Sequence, residues 1–360
     1  MNYPRSVRQV ALLVACLFLF ACKKEQPAKE EGAAVPRTVY WTVNEGSDGG
    51  AIMKGTTSAD GKTGIEVLYN TGEGVRIPWG IAVDTIRNYV YWINGSNSLT
   101  SALDVVRAPL DGKGPMEVVF SKDYKTNFFL DLYLDVEANA LYLTNSLSDD
   151  RPLNSAEGPH VRKAEIYKLT PGTSQTTASL LYSINTDAAI SDVKIDRAGG
   201  KIYWAMGIIK DSGVNNGSAK IMQGSLSGQQ TPQVLFDQSD GLLYCWNIAL
   251  DTNNKKIYIN TFDGDTNSSA AQEESGIIMQ GNMDGSGSLD KLFQEPMMMI
   301  GSNALPVLIL DMELDQQKNY LYWMTSKNDG EIRRMKLSDK SVETSYTGLK
   351  NGLYFDVLGN

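Results

Sequence analysis

Histidine is nearly absent from this chain: His160 is the only one in 360 residues, and it sits beside Pro159 in a stretch that reads as a loop. A zinc site built on several histidines is therefore excluded, and a nucleophile–histidine relay has no support. Cysteine is almost as scarce. Three occur, Cys16 and Cys22 near the start and Cys245 alone inside an apolar run, so no disulfide framework can form and Cys245 reads as a buried thiol. There is no glycine-rich phosphate loop and no nucleophile elbow. No segment keeps a 3.6-residue apolar period, which excludes a helical repeat. Basic residues are outnumbered, 33 against 42 acids for a net charge of -9, and this argues against nucleic acid and anionic membrane faces as partners.

Residues 1–21 combine Arg5 and Arg8 with an apolar run from Val10 to Ala21, too short to cross a bilayer and typical of a secretory signal. The run ends in Leu19-Phe20-Ala21-Cys22, which resembles the lipobox at which bacterial lipoproteins are cleaved and lipidated on the cysteine. The alternative Leu13-Val14-Ala15-Cys16 leaves too short an apolar core, so Cys22 is the expected lipid site. Residues 22–38 are charged, poor in hydrophobes and carry two prolines, so they read as a flexible tether. Lys23 behind the cysteine resembles outer-membrane sorting. The expectation is an outer-membrane lipoprotein, periplasmic or surface-exposed, touching the membrane through its anchor only.

Residues 39–360 carry an internal repeat of about fifty residues. An aspartate followed seven residues later by a tyrosine recurs at Asp84/Tyr91, Asp135/Tyr142, Asp196/Tyr203, Asp251/Tyr258 and Asp315/Tyr322. Before each aspartate lies a short alternating stretch, as in GIAVD or DVKID, and around each tyrosine a second one, as in YVYW or KIYW. Such alternation reads as strands. A third strand, a turn usually containing glycine, and a fourth strand ending in Phe120, Tyr182, Phe236, Phe293 or Tyr346 complete each unit. Four antiparallel strands per unit point to propeller blades. The termini supply the sixth: Val39-Tyr40-Trp41-Thr42 lacks a first strand, and Gly352-Leu353-Tyr354-Phe355-Asp356 lacks everything after one. The expected fold is all-β, a six-bladed propeller closed by pairing the C-terminal strand with the N-terminal blade.

The YW strand, the preceding apolar-Asp strand and Leu110-Asp111-Gly112 after the third strand resemble the YWTD propellers of the low-density-lipoprotein-receptor class. The fourth motif residue departs from that pattern: the copies read YWTV, YWIN, YLTN, YWAM, YINT and YWMT. No EGF-like modules accompany the repeat, so the resemblance carries fold and not receptor function.

Loops 96–104, 145–163, 206–218 and 261–275 are the long ones, and any binding site is expected on their face. Aligned four residues before the frame aspartate stand Gly80, Asp131, Asp192, Asn247, Asp311 and Gly352, so consecutive blades aim three carboxylates and an amide at the channel mouth. Lys194 and Glu313 make a second row two residues later partly polar. Converging carboxylates need a cation, protons or donors, and such oxygen ligands suit calcium or magnesium. The gluconolactonase-like propellers, which this set resembles, hold a divalent ion in the channel; the rival reading is that each aspartate caps backbone amides. Asp263, Asp265, Asn267 and Glu274 have calcium-loop spacing, but Ser268 stands where glycine belongs. Trp79 and Trp246, five residues before their frame aspartates, are candidates for the channel rim. Pro296-Met297-Met298-Met299-Ile300 reads as an adaptable surface. The expected role is a noncatalytic, monomeric binding or assembly module of the cell envelope, recognising a protein or glycan. The alternative is a divalent-metal-dependent hydrolase of the gluconolactonase or lactonase type, with Asp131, Asp192, Asn247 and Asp311 around the ion.

Overall fold

The computed structural model describes residues 37–46, 49–57, 63–95, 102–123, 125–148, 161–172, 175–207, 219–242, 244–262, 275–301 and 303–358. The expected signal and lipid site, His160, and the loop with Asp263, Asp265, Asn267 and Glu274 lie outside them.

Six four-stranded antiparallel sheets form the six blades of a propeller. The inner strands are Ile77–Asp84, Asn127–Asp135, Ala189–Asp196, Ile248–Asp251, Ile309–Asp315 and Gly352–Leu358, in blades one to six. Each lies beside the next around the axis, and Gly352–Leu358 lies beside Ile77–Asp84, so the ring is closed. Closure is the expected one: Arg37–Gly46 pairs antiparallel with Gly352–Leu358. The C-terminal strand thereby supplies the inner strand of the N-terminal blade.

The frame aspartates form the turns. In blades one to five the Oδ1 of Asp84, Asp135, Asp196, Asp251 or Asp315 accepts the backbone N–H three residues on, from Arg87, Ala138, Gly199, Asn254 or Lys318, at 2.8–3.0 Å. The next residue is left-handed: Asn88, Asn139, Gly200, Lys255 and Asn319 have φ between 50° and 65°. Asparagine and glycine tolerate this region readily, and lysine adopts it only at an energetic cost.

The tyrosine and tryptophan of the second strand weld neighbouring blades in opposite directions. Tyr91 packs forward on Leu132 and Leu143 of blade two, and Tyr322 on Phe355 of blade six. The tryptophans pack backward: Trp92 on Ile52 and Tyr69, Trp204 on Ile166 and Tyr182, Trp323 on Ile278 and Phe293, and Trp41 on Ile332 and Tyr346. All four are fully buried. Three face the aromatic residue that ends the fourth strand of the previous blade, at 5.9 Å for Tyr69–Trp92, 5.2 Å for Tyr182–Trp204 and 5.1 Å for Phe293–Trp323. Such pairs contribute about 0.5–1.5 kcal/mol each beyond burial. Where the receptor-type motif has aspartate, Asn94 and Asn145 still tie down the strand entrance, accepting the N–H of Arg76 at 2.8 Å and of Phe128 at 3.2 Å.

The methionine run is surface at its end, while Met297 and Met298 are half-buried. Met298–Ile300 and Asn303–Leu305 form a small hairpin outside the blades with Met299 and Ile300 exposed.

One expectation is corrected. Trp41 lies opposite Phe355, whereas Trp92, Trp204 and Trp323 lie opposite Ile81, Val193 and Met312, each three residues before a frame aspartate. The frame position of blade six is therefore Leu358, and Asp356 stands two residues earlier, where blades three and five have Lys194 and Glu313. Tyr354, not Gly352, joins Asp131, Asp192 and Asp311. The physical reason is register: pairing of Trp41 with Phe355 puts Leu358, not an aspartate, at the frame level.

Two predictions follow from closure and turn geometry. Deleting residues 351–360 removes an inner strand, and a calorimetric scan should show loss of the single cooperative transition or a large fall in Tm; an unchanged melt would refute closure by that strand. Lys255→Gly should stabilise by about 0.5–1 kcal/mol in urea titration, because only the lysine strains the left-handed position.

Candidate functional site

Alternation along the inner strands aims the residues two and four before the frame position at the axis. The first row is Ala82, Tyr133, Lys194, Ala249, Glu313 and Asp356; the second is Gly80, Asp131, Asp192, Asn247, Asp311 and Tyr354. Five carboxyls thus meet one ammonium. Lys194 Nζ lies 2.9 Å from Asp192 Oδ1, 3.2 Å from Glu313 Oε1 and 3.9 Å from Asp131 Oδ2, and its side chain is buried.

The carboxyls also staple adjacent inner strands. Asp192 Oδ2 accepts the N–H of Ile248 at 2.7 Å, Asp311 Oδ2 that of Phe355 at 2.9 Å, and Asp356 Oδ2 that of Val83 at 2.8 Å. Asn247 Nδ2 donates to Asp311 Oδ1 at 3.2 Å, and its oxygen accepts from Asn260 at 3.1 Å. The amides capped belong to the next blade's inner strand rather than to the same blade's entering loop. The four expected site residues are brought together, but deep in the ring: Asp192 and Asn247 are wholly buried, Asp131 and Asp311 nearly so.

Charge in this confined space moves the titrations. Burial pushes Glu313 up to about 7, with Lys194 pulling back and Asp356 adding to the rise. Asp356 is likewise pushed by burial to about 6, against the Val83 amide and Lys194. Asp131 stands well above the carboxylate range through burial and the Asp192 charge, and Asp311 through burial. Burial works against the Lys194 charge, but Asp192, Glu313 and Asp131 outweigh it and hold the ammonium protonated. Tyr133 is kept a neutral phenol by burial and by the Glu313 charge.

A cavity of about 760 Å³ opens from this cluster to the face of the short turns. Tyr133, Glu313 and Asp356 lie at its inner end, and Thr85, Glu137, Arg197, Thr252, Gln316 and Gln317 stand around its mouth. The mouth is braced between blades: Arg197 Nε donates to Asp135 at 3.0 Å and its other nitrogens reach Asp135 and Glu137, while Arg87 Nη1 reaches the Val136 carbonyl at 2.7 Å. The site was expected on the opposite face; much of those long loops lies outside the described residues, and the cavity that the described residues line opens here. Trp79 is half-buried between Phe128 and Tyr354, at 6.0 and 6.3 Å, and Trp246 is half-buried at the entrance to blade four. Neither lines this cavity.

The donor set does not fit a divalent ion. Calcium takes 6–8 oxygens, yet the oxygens of Asp192, Asn247 and Asp311 are taken by amides and Lys194, which leaves the carboxyl of Asp131, whose buried Oδ2 has no hydrogen-bond donor. Among the described residues no group of three or more acidic, histidine or cysteine side chains is placed to hold a metal. The countercharge is the chain's own Lys194. Sequence reading placed Lys194 and Glu313 in a second row without a role and missed Tyr133 and Asp356. The signal for Asp356 was the pairing of Trp41 with Phe355, visible only once the two ends are aligned.

No family profile and no curated protein matches the chain in sequence. Solved structures do match in fold. A Bacteroides uniformis protein provisionally assigned as a 6-phosphogluconolactonase gives a TM-score of 0.51 at 12% identity, over 90% of this chain and 99% of that one. The Pseudomonas aeruginosa periplasmic gluconolactonase gives 0.54 at 10% identity, over 86% and 82%. A Bacteroides fragilis protein, provisionally a 6-phosphogluconolactonase, gives 0.50 at 10%, over 92% and 99%. At such identities the likeness establishes a propeller fold. The expectation of a noncatalytic binding or assembly module is corrected: the neighbours carry lactonase names rather than receptor ones.

The channel generates its own prediction. Because Lys194 already supplies the charge, wild-type Tm should not move with millimolar calcium or with EDTA. Lys194→Ala should lose stability at neutral pH and regain part of it as the pH falls and the carboxyls protonate. A calcium-dependent rise in wild-type Tm would refute this assignment.

Proposed function

We propose that the protein hydrolyses small lactones in the channel cavity without a bound metal. The observation that carries the reading is a carboxyl, Glu313, facing the cavity with its partner ammonium, Lys194, held 3.2 Å behind it. The names of the structural neighbours support it.

Lactone hydrolysis requires a water to lose a proton, a carbonyl oxygen to carry charge, and a ring oxygen to regain the proton. Glu313 takes the proton as the water oxygen bonds to the carbonyl carbon. The neutral phenol of Tyr133 is the donor for the oxygen that becomes negative. When the ring C–O bond breaks, Glu313 returns the proton to the departing oxygen, leaving a hydroxy acid. Lys194 acts through Glu313 as a positioning residue, orienting the carboxylate and keeping it ionised against burial. A lipid on Cys22 would tether a monomeric ring of this kind in the cell envelope, on the periplasmic or the outer side.

The test is glucono-δ-lactone hydrolysis in a pH-stat, corrected for the spontaneous rate, with and without EDTA. Activity should survive EDTA, Glu313→Gln should lower kcat by about 100-fold or more, and Tyr133→Phe should lower it less. The base must be ionised, so kcat/KM should rise with pH and level off above about 7, following the raised Glu313 carboxyl. No rate above background with a panel of five- and six-membered lactones would refute the function.

A further inference from the structure

We propose that the channel selects its substrate by charge, taking an uncharged or positively charged polyhydroxy lactone and refusing phosphorylated or carboxylated ones. This rests on reading the cavity as the site named above, and goes on to name its substrate class.

The lining chemistry is one-sided. Asp135, Glu137, Asp196, Glu313, Asp315 and Asp356 all contribute to the cavity wall, against a single base, Arg197. Arg197 is committed to Asp135 and Glu137. Lys194 lies behind the inner end and is committed to Asp192 and Glu313. The cations just outside the lining are also placed against acids: Arg87 is 3.0 Å from Asp84, Lys255 3.6 Å from Asp196 and Lys318 3.5 Å from Asp315. A phosphate entering this mouth meets carboxylates and no uncommitted cation among the described residues, and the confined wall strengthens the repulsion.

Neutral groups at the mouth suit hydroxyls instead. Thr85, Thr252, Gln316 and Gln317 line it, with Thr252 Oγ1 2.8 Å from the Gln316 side-chain oxygen, which leaves the Gln316 amide nitrogen to donate outward. The chemistry of turnover agrees, since lactone hydrolysis creates a carboxylate that an acidic mouth expels. Two of the structural neighbours are named for a phosphorylated lactone and one for an unphosphorylated lactone. Identities of 10–12% cannot choose between them, whereas the charge of the lining does.

The test is calorimetric binding of three unreactive probes to the full chain: glucono-δ-lactam, neutral; 1-deoxynojirimycin, cationic; and 6-phosphogluconate, anionic. The lactam and the cation should bind at least about tenfold more tightly than 6-phosphogluconate, with the cation's advantage shrinking as salt is raised. Glu137→Lys, at an exposed rim position, should narrow the gap between lactam and 6-phosphogluconate about tenfold. Equal or tighter binding of 6-phosphogluconate would overturn the proposal, as would no binding of any probe. Because the probes are not turned over, charge selection without lactone hydrolysis would sink only the enzymatic reading. Faster turnover of a phosphorylated than of a plain lactone would sink only the charge selection.

Discussion

Six strands can close around an axis only if the side chains they aim at one another tolerate the meeting. In this ring Asp131, Asp192, Asp311, Glu313 and Asp356 converge, and the Lys194 ammonium is what lets them share the space. The desolvation of so many charges is offset by specific partners: backbone N–H groups of Val83, Ile248 and Phe355 receive three of the carboxylates across blade boundaries. The same contacts bind each inner strand to the next, so the electrostatics of the channel and the closure of the ring are one arrangement.

Around that axis the scaffold is repetitive and the chemistry is not. Frame aspartates, left-handed turn residues and the opposed tyrosine–tryptophan wedges recur because every blade needs a turn and two packed faces. Tyr133, Lys194, Glu313 and Asp356 occupy one equivalent position in four blades and differ in type, which is how a cyclic scaffold acquires a site with direction. Repetition supplies the geometry, and departure from it supplies the phenol, the ammonium and the carboxyls that face one another in the channel. The confined setting then brings Glu313 and Asp356 to about 7 and about 6, far from the values of exposed carboxyls.

Sequence reasoning failed where information had to pass between distant parts of the chain. The set Asp131, Asp192, Asn247 and Asp311 looked like cation ligands because their spacing shows convergence but not who else arrives. Lys194 was read in its row, yet only the ring shows its ammonium between Asp192 and Glu313. Asp356 was placed with the frame aspartates because its strand carries the right residues in a slightly different register. A two-residue offset keeps the same face toward the axis and changes the level, so the mistake left the fold intact while hiding a residue of the cavity wall.

By itself the sequence determined the all-β class, the six blades, the four strands in each, the recurring frame aspartates and the pairing of the two ends. These are local or periodic properties: alternation, turn chemistry and a repeat that returns at fixed spacing. Tertiary structure alone decided that the channel's cation is Lys194, that the cavity opens toward the short turns, and which carboxyls face it. Those outcomes depend on distances between residues up to a full turn of the ring apart, such as Val83 and Asp356, and on the burial that shifts their charges. A one-dimensional pattern carries neither quantity until the ring has closed.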